Sequence, residues 1–579
     1  MTEAFHLVFR RMRLPLNILI ISYAVSILGF VLIPGETPAG EREPMSFFHA
    51  FYFVSFMGST IGFGEIPYPF TAGQRLWAMF SIYATVIAWL YAIGALLAAI
   101  QDPAFRRQLA RNGFTRAVRR IKEPFYLVCG YGDTGSLLVR GLSYNAIRTV
   151  VIDIDPAKIE ALKVTDFIEH VPALCDDATQ PEALADGGVK NPLCAGVIAL
   201  TNDDQANLSI AITCKIFVPD LQVIARTEYQ ETANNMKSFG TDHTIDPFDR
   251  FADRFSLAIR SPALFMTYML LTSPRHIRMN RALQPPRGLW LVCGYGRCGK
   301  ALYRHLQFDG MQTQVIEVDP DHTKPPPDTI TETGTEADTL RKAGIEQAVG
   351  IIAATNHDAN NLSIVLTARE LNPELFTVAR LTRGANYPLF DAAWLDIMMQ
   401  PATIITREAL ALINTPLLID FINLIREQSD EWANILFSRI IAVSEDDDPP
   451  ETWTLTICSQ QTPAITDLLR RGTPVDLSIF AYDPRHREDR LAALVLLQRR
   501  ATSDILAPDN TEPLAPGDRL LFCGTAYAKQ LSMWTAVNHG TLNYVLTGNE
   551  RPDGWLWRWL SRHQQRLTPG TNGSASLYS

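Results

Sequence analysis

The sequence predicts a two-span α-helical membrane unit followed by α/β architecture: two tandem parallel-sheet domains and then a small α+β subdomain. Three observations carry that prediction. Residues 15–34 and 76–100 are free of charge and match the roughly 20 residues that cross a bilayer. Residues 126–156 and 290–320 align without a gap, as do 199–227 and 353–381, so the soluble part is an internal duplication. Residues 433–535 alternate short apolar runs with turn-like segments such as Ala515-Pro516-Gly517-Asp518. A length of 579 residues leaves room for about three soluble units behind the membrane part. The net charge of −9 gives no electrostatic reason to expect nucleic acid as a partner. The eight cysteines form no CxxC pair and all follow the second span, as expected of reduced thiols facing a cytosolic compartment.

Between the two apolar stretches, residues 45–59 are aromatic-rich (Phe47, Phe48, Phe51, Tyr52, Phe53, Phe56) and too short to cross easily, the pattern of a re-entrant helix buried by protein. It leads into Thr60-Ile61-Gly62-Phe63-Gly64. Alternating glycines permit left-handed dihedrals, which aim successive carbonyls at one axis. Trp77 and Trp89 are interfacial anchors. Arg10, Arg11 and Arg13 precede the first span and Arg106, Arg107, Arg111, Arg116, Arg119 and Arg120 follow the second, whereas the intervening loop holds Glu36, Glu41, Arg42 and Glu43. The positive-inside rule then puts both termini in the cytoplasm and the hairpin outside. A cleaved signal peptide is the competing reading of the first stretch, disfavoured by its length. Gly94, in the inner half of the second span, is a candidate gating hinge, with close helix packing as the alternative. No helix with repeated arginines suggests voltage sensing.

The run resembles the TVGYG signature of potassium channels, with Ile61 for Val and Phe63 for Tyr. That resemblance implies a homotetramer, in which Thr60, Ile61, Gly62, Phe63 and Gly64 of each chain line a selectivity filter for K+. Phe63 lacks the hydroxyl that can brace such a filter, Glu65 stands for the usual Asp, and Met57 occupies a position where Thr is common.

Each duplicated segment starts with an apolar strand (125–129, 289–293), turns through a GxGxxG loop and enters a helix. The loops are Gly130-Tyr131-Gly132-Asp133-Thr134-Gly135 and Gly294-Tyr295-Gly296-Arg297-Cys298-Gly299. First glycines permit the turn, second ones admit a pyrophosphate, third ones let helix pack on strand, and the helix N-terminus attracts phosphate: a Rossmann-like start. Asp153 and Glu317 end the next strands, where a carboxylate accepts from ribose hydroxyls and favours NAD or an adenine nucleotide over NADP. An empty crevice is the alternative.

These copies resemble the domains that regulate conductance of potassium (RCK, TrkA-N-like), found on prokaryotic two-span potassium channels. The resemblance covers nearly all of residues 124–430. It places Asp177 and Ala178 of Asp176-Asp177-Ala178-Thr179, together with Asn202 and Arg226, around a first nucleotide, and Asn356 and Arg380 around a second, where Glu332-Thr333-Gly334-Thr335 departs from the motif. For both arginines an ordinary ion pair is an equal reading. It also implies that apolar helices near Leu264–Leu271 and Leu410–Ile425 are exchanged between paired domains, that the C-terminal subdomain is TrkA-C-like, and that eight RCK domains form an octameric gating ring. Some relatives take Ca2+. Here the acidic run Glu445-Asp446-Asp447-Asp448 reads better as a solvated loop, and Asp242, His243 and Asp246 are weaker metal candidates.

The expected organisation is a pore domain (1–103), linker (104–123), first RCK domain (124–287), second (288–430), C-terminal subdomain (431–540) and a tail (541–579) whose Trp555, Trp557 and Trp559 pack on that subdomain or touch the lipid bilayer. The expected function is a nucleotide-regulated potassium channel of a bacterial inner membrane, not an enzyme. A membrane-tethered NAD oxidoreductase explains the glycine loops but not the hairpin, and no acid–base constellation accompanies either loop; a non-conducting scaffold likewise has no need of TIGFG.

Overall fold

The computed structural model describes residues 2–37, 41–272, 284–444 and 449–548. The acidic run 445–448 and the tryptophan-rich tail lie outside them. Helix α1 (Thr2–Leu32) carries the first apolar span over Met12–Leu32, and α3 (Ala72–Gln101) is the second. Between them lie a short antiparallel pair, β1 (Pro34–Glu36) and β2 (Arg42–Pro44), and helix α2 (Phe47–Gly58). Ser46 caps α2 and a Thr71/Gln74 capping box starts α3, which fixes both ends of the hairpin. Phe30, Ala50, Phe53, Val54, Phe56, Met57 and Phe70 form the core of this unit. Met57, without a sequence-based role, is therefore a packing residue. Leu14, Ile20, Ile21, Leu76, Tyr83 and Ile87 are exposed on the single chain, apolar surface that a bilayer or further chains must cover.

The chain leaves α3 through Asp102, whose carboxylate caps α4 (Pro103–Arg119) by accepting from the Ala104 and Phe105 N–H groups. The linker expected at 104–123 is thus helical over most of its length. It is also docked: Phe114 and Val118 enter the core of the next domain.

That domain runs β3 (Phe125–Cys129), α5 (Asp133–Tyr144), β4 (Arg148–Asp153), α6 (Pro156–Lys163), β5 (Ala173–Cys175), α7 (Pro181–Asp186), β6 (Cys194–Ala199), α8 (Asp204–Phe217), β7 (Gln222–Arg226), α9 (Gln230–Ser238) and β8 (His243–Ile245). Its sheet is parallel, in the order β5-β4-β3-β6-β7-β8, with the switch point beside β3 where an α/β sheet opens its crevice. After α10 (Pro247–Arg260) and α11 (Pro262–Thr272) the second copy runs β9 (Leu289–Cys293), α12 (Arg297–Phe308), β10 (Gln312–Ile316), α13 (Pro320–Thr323), α14 (Ala337–Lys342), β11 (Gly350–Ala353), α15 (Asp358–Leu371), β12 (Phe376–Arg380), α16 (Tyr387–Ala392) and β13 (Ile397–Met399), in the order β10-β9-β11-β12-β13. The edge strand of the first copy has shrunk to a single bridge, Ile316 to Ile330. The prolines at 325–327 explain the short α13, since they cannot extend a helix.

The helices that follow each copy cross to the other. Phe248, Phe251, Phe255 and Ile259 of α10 pack with Trp290, Leu302 and Leu306 of the second copy. Ile405, Ala409 and Leu412 of α17 (Pro401–Asn414) pack with Leu138, Val139 and Leu142 of the first. Each buried side chain of this size is worth about 1.5–3 kcal/mol, so the exchange locks the copies together. Beyond them α11 and α18 (Pro416–Ile425) share a core with α19 (Asp430–Ile441) and with Leu494, Leu496, Leu497 and Leu521 of the C-terminal sheet. That subdomain comprises β14 (Glu451–Thr456), α20 (Pro463–Arg470), β15 (Ala493–Arg499), β16 (Asp504–Leu506), β17 (Arg519–Gly524), α21 (Ala526–Val537) and α22 (His539–Thr547), with an antiparallel sheet in the order β14-β17-β15-β16.

Candidate functional site

The hairpin places Thr60 to Gly64 immediately after the C-terminus of α2. Thr60 N–H donates to the Met57 carbonyl (3.1 Å) and Ile61 N–H to the Phe56 carbonyl (3.0 Å), so the last carbonyls of α2 hold the start of the run. Thr60, Gly62 and Gly64 have φ of 63°, 68° and 97°. A left-handed residue at every second position is the pattern that stacks carbonyls along one side. For Thr60 that conformation costs roughly 1–2 kcal/mol, which its hydrogen bond to Met57 offsets. Ile61 and Phe63 are more than half exposed on the single chain, and the Phe63 ring leans edge-on against Phe56 at 5.5 Å. Glu65 closes the far end: its carboxylate accepts from the Phe70 N–H (2.8 Å) and from Arg75 Nε (2.8 Å) and a terminal nitrogen (3.2 Å). The fork is bidentate, a geometry that adds direction to charge. Gly94 sits in unbroken helix, and a Cβ there would meet nothing within 4 Å in the chain, so packing within one chain gives no reason for this glycine.

Both glycine loops have the same internal geometry. A Cβ on Gly135 would lie 2.0 Å from the Gly130 carbonyl oxygen, and one on Gly299 would lie 1.9 Å from that of Gly294. A Cβ on Gly132 or Gly296 would meet nothing, which leaves the middle of each loop open above a helix without a side-chain cap. Those free N–H groups are what a phosphate finds. Asp153, buried, accepts from the Tyr131 N–H (2.5 Å) and the Asp155 N–H (2.8 Å); Glu317, more exposed, accepts from Tyr295 (2.5 Å) and Asp319 (2.9 Å). These acids therefore brace the loop, and only their remaining lone pairs face a ligand.

On the other side of each crevice the four residues named by resemblance pair among themselves. Arg226 donates to Asn202 Oδ1 (2.9 Å) and Arg380 to Asn356 Oδ1 (2.7 Å). Two residues that the sequence reading missed fix this rim: Asn207 and Asn361, both fully buried, accept from the Thr201 and Thr355 N–H groups and donate to the Arg226 and Arg380 carbonyls. Their signal was in the repeat, where Asn-Leu-Ser-Ile recurs at both positions. Asp177 commits its carboxylate to a turn, accepting from the Thr179 N–H and hydroxyl and from Gln180, while Ala178 is buried; the side chain of the counterpart Thr333 meets the Thr335 hydroxyl instead.

The metal candidates do not converge. Asp242 accepts from the Val223 N–H (2.7 Å) and pairs with Lys215 (2.8 Å), Asp246 caps α10, and His243 lies in β8. Among the described residues no group of three or more His, Cys, Asp or Glu side chains is placed to hold a metal ion, so this structure gives the Ca2+ expectation no support. The buried thiols Cys293, just before the second loop, and Cys298, within it, are pushed up to about 12 by desolvation, which makes them packing groups.

Residues 17–102 match the ion channel family, and residues 126–247 and 290–401 each match the TrkA-N domain. Among curated relatives, the chain is 25% identical over 206 residues to potassium channel protein 1 of Methanocaldococcus jannaschii, covering 36% of this chain and 60% of the relative. It is 24% identical over 136 residues to the Trk system potassium uptake protein TrkA homolog of Pyrococcus abyssi, covering 22% of this chain and 60% of that one. The chain thus spans at most about 60% of the first relatives it matches. Among solved structures it resembles the GsuK channel at 16% identity, over 94% of this chain and 100% of the other, with a TM-score of 0.46.

Proposed function

From a chain that joins a membrane ion channel domain to two TrkA-N domains, the organisation of a two-span potassium channel with tandem RCK regulators, we propose a potassium-selective pore controlled by nucleotides bound to the RCK pair. The observation that carries selectivity is the alternation of left-handed residues at 60, 62 and 64, hung from α2 and tied down by Glu65 and Arg75. One such strand cannot enclose an ion, so the active form is a ring of chains; four give one filter and eight RCK domains beneath it. The basic flanks of the two spans favour cytoplasmic termini and RCK domains in a bacterial inner membrane.

Regulation follows from α4. It continues α3 after the break at Asp102 and is anchored on the first RCK copy by Phe114, Val118 and Arg111, which pairs with Asp186 and with Glu182 (3.3 Å). A ligand that binds one arrangement of the RCK pair better than another therefore moves the inner ends of the α3 helices, with NAD or an adenine nucleotide as the ligand class that the open glycine loops suit. Nucleotides act here as effectors, not reactants. The test is potassium flux from liposomes holding the purified protein, with sodium as the competing ion and NAD or ADP added on the RCK side. Barium-sensitive, potassium-selective flux that one nucleotide alters is the expected result. Selective flux indifferent to every nucleotide would remove the regulatory half of the reading, and absence of selective flux would remove the pore.

A further inference from the structure

The two crevices carry opposite charge where a phosphate would lie. The first turn of α5 holds Asp133 and Ser136, that of α12 Arg297 and Lys300, a difference of three unit charges at aligned positions. Arg297 does not stand alone. It reaches across to the first copy and pairs with Glu228, just beyond β7, and Glu228 also pairs with Arg226. The Glu228 side chain is only 8% exposed, so two guanidinium groups compensate a desolvated carboxylate. Arg380 completes the cluster: its guanidinium carbon lies 4.8 Å from the centre of the Phe248 ring, and that of Arg297 5.6 Å from the same ring. Arg380 is 6% exposed and its Nε has no hydrogen-bond partner. Two arginines thus share one buried carboxylate, with Arg380 stacked on the same ring as Arg297, beside an uncapped helix N-terminus. The corresponding contact in the first copy is slight, Asp133 accepting from the Gly384 N–H at 3.4 Å.

Building on the nucleotide reading above, we propose that the crevices divide ligands by charge: the second takes a nucleoside di- or triphosphate by drawing Arg297 from Glu228 onto the terminal phosphate, and the first takes a dinucleotide. A dinucleotide's pyrophosphate is esterified at both ends and bears about two negative charges beside Asp133, whereas a free terminal phosphate adds about −1.5 to −2 and needs more cationic partners. The exchange leaves neither charge stranded, because Arg297 gains phosphate and Glu228 keeps Arg226. Glu228 and Arg226 lie on the rim of the first crevice, so occupancy of the second is felt by the first, and reciprocally.

The test uses the full chain in lipid nanodiscs, with ADP and NAD as probes in calorimetric titrations. ADP and NAD are expected to saturate at one each per chain without displacing one another. Arg297→Ala should weaken ADP about tenfold or more, as loss of a charge-assisted contact does. Glu228→Gln, which keeps its shape, should tighten ADP about threefold or more because Arg297 loses its competitor. That opposite sign holds the proposal open to test even where Arg297→Ala disturbs folding. Mutual displacement at a single site, or ADP affinity that Glu228→Gln leaves unchanged or weakens, would overturn the division. Absence of any nucleotide binding would be a different failure, that of the nucleotide reading itself.

Discussion

In the first RCK copy the helix behind the glycine loop opens with Asp133 and Ser136, and in the second with Arg297 and Lys300, although in both loops the third glycine packs against the carbonyl of the first and the second stands open. The first and third glycines, the bracing acid, the Asn–Arg pair and the buried asparagine recur because backbone geometry requires them. Side chains that face the open middle of the loop have no such constraint and have diverged. The edge of the sheet has diverged as well, with β5 present in one copy and one bridge in the other. Duplication has kept what holds the crevice and altered what the crevice meets.

The harshest way to break the comparison is at the third glycine. Gly135→Ala and Gly299→Ala each drive a Cβ into a carbonyl oxygen that cannot yield, and each should cost about 3 kcal/mol of stability and abolish binding in its own copy. Gly132→Ala and Gly296→Ala, with open space around the added methyl, should change stability by less than about 1 kcal/mol while still weakening nucleotide, which thermal unfolding and titration would separate. Equal destabilisation by all four would refute the division of labour within the loop.

A smaller effect should distinguish the bracing acids. Asp153→Ala removes a buried carboxylate, strands the two N–H groups that donate to it and should cost about 2–3 kcal/mol, against about 1 kcal/mol for the more exposed Glu317→Ala, measured by denaturant unfolding. Loss of nucleotide response in Asp153→Ala would accordingly report a loosened loop as much as a lost ribose contact.

Only the first copy carries the connector. Arg111→Ala should lower stability by no more than about 1 kcal/mol, its cluster being partly exposed, yet should reduce the largest conductance change any nucleotide can produce, with binding midpoints little moved. A full-sized response in patches would place the coupling elsewhere on α4.

The weakest contrast is in acid. Burial raises the Asp177 pKa, but hydrogen bonds from Thr179 and Gln180 outweigh it and hold the carboxyl below its usual value. A depressed folded pKa stabilises above the unfolded value of about 3.9 and is lost as pH falls through the folded one. The turn at 176–179 should therefore loosen below about pH 4 as Asp177 protonates, whereas in its counterpart Thr333 cannot titrate and the depressed acid is Glu332, held by Lys342 and Thr339; amide exchange at the Thr179 N–H, which donates to Asp177, would show it.

By itself the sequence determined several features written in local order: two apolar stretches of bilayer length, the strands 125–129 and 289–293 to the residue, and the spacing of glycines and acids around each loop. Periodicity and φ requirements act over a few residues, so a linear reading captures them. The family resemblance also named Asn202, Arg226, Asn356 and Arg380 without revealing that each arginine is tied to its asparagine. What only the tertiary structure decided is where distant segments meet: α10 on the second copy and α17 on the first, α4 on the domain it precedes, and Arg297 on Glu228, separated by 69 positions. Those contacts come from the packing of two whole domains against each other, and no local pattern in either copy encodes which face of one meets which rim of the other.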